Sequence, residues 1–164
     1  RPDKLVVSFH GLPHRNLLQG DPYHCECLKT ARLLAERLGI GSSEVVVTFQ
    51  SRFGKAKWLQ PYTEPTLIEL ARQGDKRVDI LCPGFVSDCL ETMEEIAIEA
   101  RAAFMGAGGE SFHYIACLND QNEWIAALCD IVQNHLQGWD TRSIPAHCDQ
   151  ADPRPRALAP GTLV

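Results

Sequence analysis

Short apolar runs alternate with longer segments of helical period along this chain. Leu5-Val6-Val7-Ser8-Phe9 reads as a buried strand, and His10-Gly11-Leu12-Pro13 ends it. Residues 14–22 read as a loop closed by Gly20-Asp21-Pro22. Apolar residues at Leu28, Ala31, Leu34, Ala35 and Leu38 then predict a helix from Cys25 to Leu38, stopped by Gly39 and Gly41. A β-branched run, Glu44–Gln50, predicts the second strand. After a polar and aromatic loop from Ser51 to Thr63, Pro65 marks the first turn of a helix reaching about Arg72. Val78–Cys82 is the third strand. Asp88 is positioned to cap a helix that runs to about Met105, with Glu91 three residues on. Phe112–Cys117 is the fourth strand, and Trp124 to Leu136 the last helix.

Strands alternating with helices predict an α/β fold, a four-stranded parallel sheet with helices on both faces and a flavodoxin-like shape. Residues 1–137 form the lobe, and 138–164 a Pro-rich tail with little periodicity, expected to be loosely ordered. Ligands of such sheets bind at the carboxyl ends of the strands, so loops 10–22, 50–63 and 83–91 carry the expectation of a site.

Composition narrows this picture only in part. A net charge of −5 gives no basic field for nucleic acid. The chain is long enough to bury a core, and no stretch approaches the ~18 apolar residues of a membrane span. Seven cysteines, an odd number scattered through strands and helices, fit reduced thiols of a cytoplasmic protein better than a disulfide framework. Cys25 and Cys27 lack the second pair that a zinc site needs.

Three features of the loops and helices have chemical potential. His10 stands at the carboxyl end of the first strand, where an imidazole can ligate a metal or accept a proton; it could equally cap the strand. Glu91, Glu95 and Glu99 recur every four residues on one helix, with Asp88 just before them. Such a stripe suits a divalent cation, yet acids near a helix N-terminus are also favoured by the macrodipole alone. Trp58 and Phe85 fall in loops at the same end, where they could line a flat apolar ligand or cover the core edge.

Five segments together carry a resemblance. They are Ser8-Phe9-His10-Gly11-Leu12-Pro13, Gly20-Asp21-Pro22-Tyr23, Phe49-Gln50-Ser51-Arg52-Phe53-Gly54, Trp58-Leu59-Gln60-Pro61 and Cys82 through Thr92. In order and spacing, from residue 4 to about 137, the chain resembles the second lobe of ferrochelatases. The resemblance implies two similar α/β lobes with a porphyrin cleft between them, and insertion of Fe2+ into protoporphyrin IX. It implies that His10 and Glu91 are the catalytic and metal-contacting pair. Asp88, Glu95 and Glu99 would then form a proton or metal path, and Trp58 and Phe85 would touch the porphyrin. No cofactor is required, since Fe2+ is a substrate. Some relatives bind an iron–sulfur cluster through several cysteines of a C-terminal extension; this tail has only Cys148, so no cluster is expected. Where some relatives have His, this chain has Cys89. The expected partners are the two substrates and the missing N-terminal lobe. Self-association through the exposed lobe interface and peripheral attachment to the inner membrane are further expectations. Competing readings are a small cobalt or tetrapyrrole chelatase that pairs two identical lobes, a non-catalytic porphyrin-binding module, and a structural domain without ligand.

Overall fold

The computed structural model describes residues 1–136, 138 and 139, so the expectation for the Pro-rich tail, Cys148 included, lies outside the described residues. The chain divides into two compact units, one spanning Arg1–Trp124 and the other beginning at Ile125.

The first unit holds a parallel sheet in the order β2-β1-β3-β4, formed by β1 (Lys4–His10), β2 (Val45–Gln50), β3 (Arg77–Leu81) and β4 (Ser111–Ile115). The helices are α1 (His14–Leu18), α2 (Tyr23–Leu38), α3 (Thr63–Gln73), α4 (Leu90–Met93) and α5 (Arg101–Gly106), with α6 (Asn122–Gln133) running into the second unit. β1 lies inside the sheet and is buried along nearly its whole length. This explains its unbroken apolar run, since a strand covered on both faces has no water side to mark with polar residues.

Alternation along β1 sorts its side chains to two cores. Leu5, Val7 and Phe9 pack with Cys27 and Ala31 of α2 and with Phe49 and Leu59. Val6 packs on the other face with Leu67 and Leu70 of α3, with Val78 and Ile80 of β3, and with Ile96, Ala100 and Phe104. α2 ends at Gly39, which takes the left-handed conformation at φ 66° that a residue with a Cβ resists.

Two expectations need correction. The segment 14–22 is not all loop: α1 occupies His14–Leu18. Asp88 is not the helix cap, which is Cys89; hydrogen bonds described below draw the Asp88 carboxylate away from the helix end. The helix after it is irregular, as the resemblance implies. Residues Glu95–Ala100 form a π-helical stretch between α4 and α5, and the Glu99 N–H donates to the Glu94 carbonyl at 2.9 Å, five residues back. Elsewhere the sequence boundaries shift by one to three residues, as helix and strand ends commonly do.

Candidate active site

The carboxyl edge of the sheet collects the residues singled out from the sequence. His10 is the last residue of β1 and is half-buried. Its Nδ1 lies 2.7 Å from the Gly11 carbonyl oxygen. A carbonyl only accepts, so Nδ1 carries a proton and donates it to Gly11, which leaves Nε2 as the ring nitrogen without that bond. The Tyr23 hydroxyl donates to the His10 carbonyl at 2.8 Å, and Asp21 in turn holds the Tyr23 N–H at 2.9 Å. The Gly20-Asp21-Pro22-Tyr23 segment thus braces the histidine from behind.

Two aromatic rings flank it. The His10 ring centroid is 6.4 Å from that of Trp58 and 6.2 Å from that of Phe85. Trp58 is held by its loop. Its indole N–H donates to the Phe53 carbonyl at 2.9 Å, and the neighbouring backbone bonds His14 N to Lys57 O and Leu59 N to Leu12 O. Gly11 is required here: a Cβ would lie 2.9 Å from the Gln50 carbonyl oxygen and 3.2 Å from the Trp58 ring.

Glu91 sits in the first turn of α4, half-buried. A hydrogen bond from the Cys89 side chain holds its carboxyl below the usual value, and His10 is near enough to add a smaller electrostatic pull. Glu91 is therefore ionised at neutral pH. Glu95, in the π-helical stretch, receives the Ser51 N–H on one oxygen and the Ser51 hydroxyl on the other, both at 2.7 Å. Ser51 adopts φ 62° to present both donors at once. Residues four apart drift by about 40° around a regular helix, and a turn closed five residues back reduces that drift. Glu91, Glu94, Glu95 and Glu99 accordingly line one open depression. Glu95 and Glu99 also line the adjoining cleft beside Arg52, Tyr62 and Glu64.

Asp88 has a different setting. One of its oxygens accepts from the Tyr114 hydroxyl at 2.6 Å and the Thr92 hydroxyl at 3.1 Å, and the other from the Asn119 amide at 2.8 Å. Burial pushes its carboxyl up, but these hydrogen bonds outweigh it and bring it down to about 2. Among the described residues, no three His, Cys, Asp or Glu side chains converge as a metal-holding group, and the six described cysteines are free. Cys25 is exposed while Cys27 is buried, so the two do not share a face.

No pattern of residue types pointed to a role for Tyr23, Gln50, Ser51, Tyr114 or Asn119. Gln50 had a visible signal, because it is an amide at an inward position of a buried strand.

Fold and edge together define a class: a parallel α/β lobe whose carboxyl edge gathers an imidazole, a row of carboxylates and two aromatic rings. A family model described as ferrochelatase matches residues 1–136. The ferrochelatase of Methylibium petroleiphilum is 69% identical over 145 residues, which cover 88% of this chain and 40% of that protein. The ferrochelatase of Azoarcus sp. is 58% identical over 161 residues, covering 98% of this chain and 44% of its own length. The chain belongs to the ferrochelatase family, and it spans about two fifths of the length of these curated relatives. A crystal structure of a CbiX protein from Marinobacter aquaeolei, assigned to cobalamin biosynthesis, shares the fold. Its TM-score is 0.52 at 15% identity, covering 83% of this chain and 96% of that one.

Proposed function

We propose that this chain is the second lobe of an enzyme that inserts Fe2+ into protoporphyrin IX to form protohaem, with a first lobe supplying the other wall of the cleft. The observation that carries the reading is His10 at the carboxyl end of β1, with the Trp58 and Phe85 ring centroids 6.4 and 6.2 Å away and an ionised Glu91 nearby.

Insertion releases two pyrrole protons and exchanges the first ligands of iron for four pyrrole nitrogens. His10 Nε2 accepts a pyrrole proton. Glu91 acts opposite it, as carboxylate ligand of the incoming iron or as second proton acceptor. Trp58 and Phe85 hold the macrocycle against the edge, so that binding energy from the ring sustains the bent shape that exposes its nitrogens. Glu95 and Glu99 lead protons or metal between the site and solvent along the π-helical stretch. Asp88 anchors the head of that helix, since its oxygens are occupied by Tyr114, Thr92 and Asn119. Leu90 at 70% and Ile98 at 64% exposure, on the same helical segment, suit a face that another lobe covers. Free thiols suit the cytoplasm, with any inner-membrane attachment peripheral, since no described helix is long and apolar enough to cross a membrane.

The test is loss of porphyrin fluorescence on adding Fe2+, for this chain with and without its separately expressed first lobe. Activity only with the partner is expected. Activity of this chain alone would favour the self-pairing small chelatase. In the full-length enzyme, His10→Ala and Glu91→Gln are each expected to abolish insertion with the fold intact. Near-normal turnover in either refutes the assignment.

A further inference from the structure

The residues that hold His10 and Glu91 in register are on neither of their elements. β1 and β2 pair so that His10 lies beside Gln50, and the Gly11 N–H donates to the Gln50 carbonyl at 2.8 Å. The Gln50 side chain, 2% exposed, turns the other way, and its Nε2 donates to the Glu91 carbonyl at 2.7 Å. One residue is therefore bonded through its backbone to the element of the histidine and through its side chain to that of the glutamate.

The orientation of this amide is itself fixed. Gln50 Oε1 accepts from the Ser8 hydroxyl at 2.7 Å and from the Cys82 thiol at 3.3 Å. Behind Ser8 stands a buried file of hydroxyls, with Thr63 at 2.9 Å from Ser8 and Thr48 at 3.0 Å from Thr63. The Thr63 hydroxyl donates to Thr48, and the Ser8 hydroxyl donates to Gln50. Turning the amide over would set its oxygen against the Glu91 carbonyl and take the acceptor away from the Cys82 thiol. Buried polar groups in low dielectric are costly unless all are satisfied, so the amide is locked with its donors toward Glu91.

We infer that Gln50 is a positioning residue that sets the spacing of Glu91 from His10, with the Glu91 carbonyl, which only accepts, fixing the direction of its amide. The inference rests on the proposed insertion reaction for its kinetic readout, but its structural readout does not. A misplacement of about 1 Å at a reacting group costs on the order of a hundredfold in rate. Gln50→Leu fills the same volume and removes the donor.

The experiment uses the full-length enzyme that carries this lobe. Gln50→Leu is expected to lower kcat for Fe2+ insertion on the order of a hundredfold, with KM for porphyrin unchanged. Backbone amides of Glu91–Glu95 are expected to exchange hydrogen faster. Gln50→Glu keeps the acceptor for Ser8 and Cys82, so it guards against simple misfolding. Burial beside a carbonyl raises an introduced carboxyl into the neutral range. Its activity relative to wild type should therefore rise as pH falls from about 8 to about 6, when the acid regains a proton to donate to Glu91. A purely structural role gives no such profile. Thr48→Val removes the far end of the file without touching Glu91 and should lower the melting temperature while leaving kcat near wild type. Wild-type kcat and exchange in Gln50→Leu, or an equal kcat loss in Thr48→Val, overturns the inference. A wild-type enzyme that inserts no iron refutes the proposed reaction instead, and the exchange rates at Glu91–Glu95 still decide whether Gln50 anchors the helix.

Discussion

Replacing Asp88 by Asn tests the claim that this carboxylate anchors the helix. In the wild type its oxygens face only donors: Tyr114 and Thr92 on one, Asn119 on the other. An amide must turn its NH2 toward one side. Toward Asn119 it opposes two NH2 groups, and Asn119 cannot flip without losing the bond its Oδ1 accepts from the Asp88 N–H at 2.8 Å. Toward Tyr114 it takes the carboxylate acceptor away from that hydroxyl, while Thr92 keeps the Cys89 carbonyl at 3.1 Å. Either way at least one charge-assisted hydrogen bond is lost, which costs about 1.5–3 kcal/mol. Asp88 is half-buried and water relieves part of the loss, so about 2 kcal/mol is expected. For a chain of this length that lowers Tm by roughly 4–8 °C. The pH dependence sharpens the test. The folded state holds the Asp88 carboxyl down to about 2 from its ordinary 3.8, so its stabilisation is complete above 3.8 and is lost as pH falls toward 2. Thermal unfolding followed by circular dichroism should show the gap between wild type and Asp88→Asn widest at neutral pH and closing across that acid window. An unchanged Tm at neutral pH, or a gap that stays constant into acid, refutes the anchor.

Three further substitutions probe the frame of the site. Phe104→Ala empties a fully buried ring position 6.1 Å from the Phe112 ring, and should cost about 3–5 kcal/mol in urea denaturation. Tyr23→Phe removes the bond to the His10 carbonyl; about 1 kcal/mol of stability should go, with a lowered kcat in the full-length enzyme as the histidine loosens. Gly11→Ala forces its methyl against the Gln50 carbonyl and the Trp58 ring, so about 1–3 kcal/mol of strain should accompany a shift in tryptophan fluorescence.

The strands were legible because each is a short β-branched or aromatic run closed by a punctuating residue, and the first of them is covered on both faces. The edge that carries the candidate site followed from the parallel topology, and the place of His10 on it from the end of β1. The π-helical stretch was not legible from periodicity. Glu91, Glu95 and Glu99 at spacing four fit a regular helix equally well, and the wider turn depends on how Ile96, Ala100 and Phe104 seat in the core under α3. The helix cap was misplaced for a related reason. Asp is a good cap in isolation, but Tyr114 and Asn119, some thirty residues on, offer its carboxylate stronger donors than helix N–H groups do.

Polar residues at inward strand positions held more information than their spacing suggested. Ser8 in β1 and Thr48 and Gln50 in β2 lie at even positions, on the face where Val6 packs toward α3. Three polar groups on one buried face cannot stand there singly, because each would lose its hydration without compensation. They must be bonded to one another or to the element packed above. The described side chains meet that demand fully: none of their buried nitrogen or oxygen atoms lacks a partner. The chain of partners reaches from Thr48 through Gln50 to the backbone of Glu91 and, one residue later, from Ser51 to the Glu95 carboxylate. The end of β2 thereby holds the acidic helix at two successive points. This makes β2, which contributes no reacting group, the element that ties the acid side of the site to the histidine side.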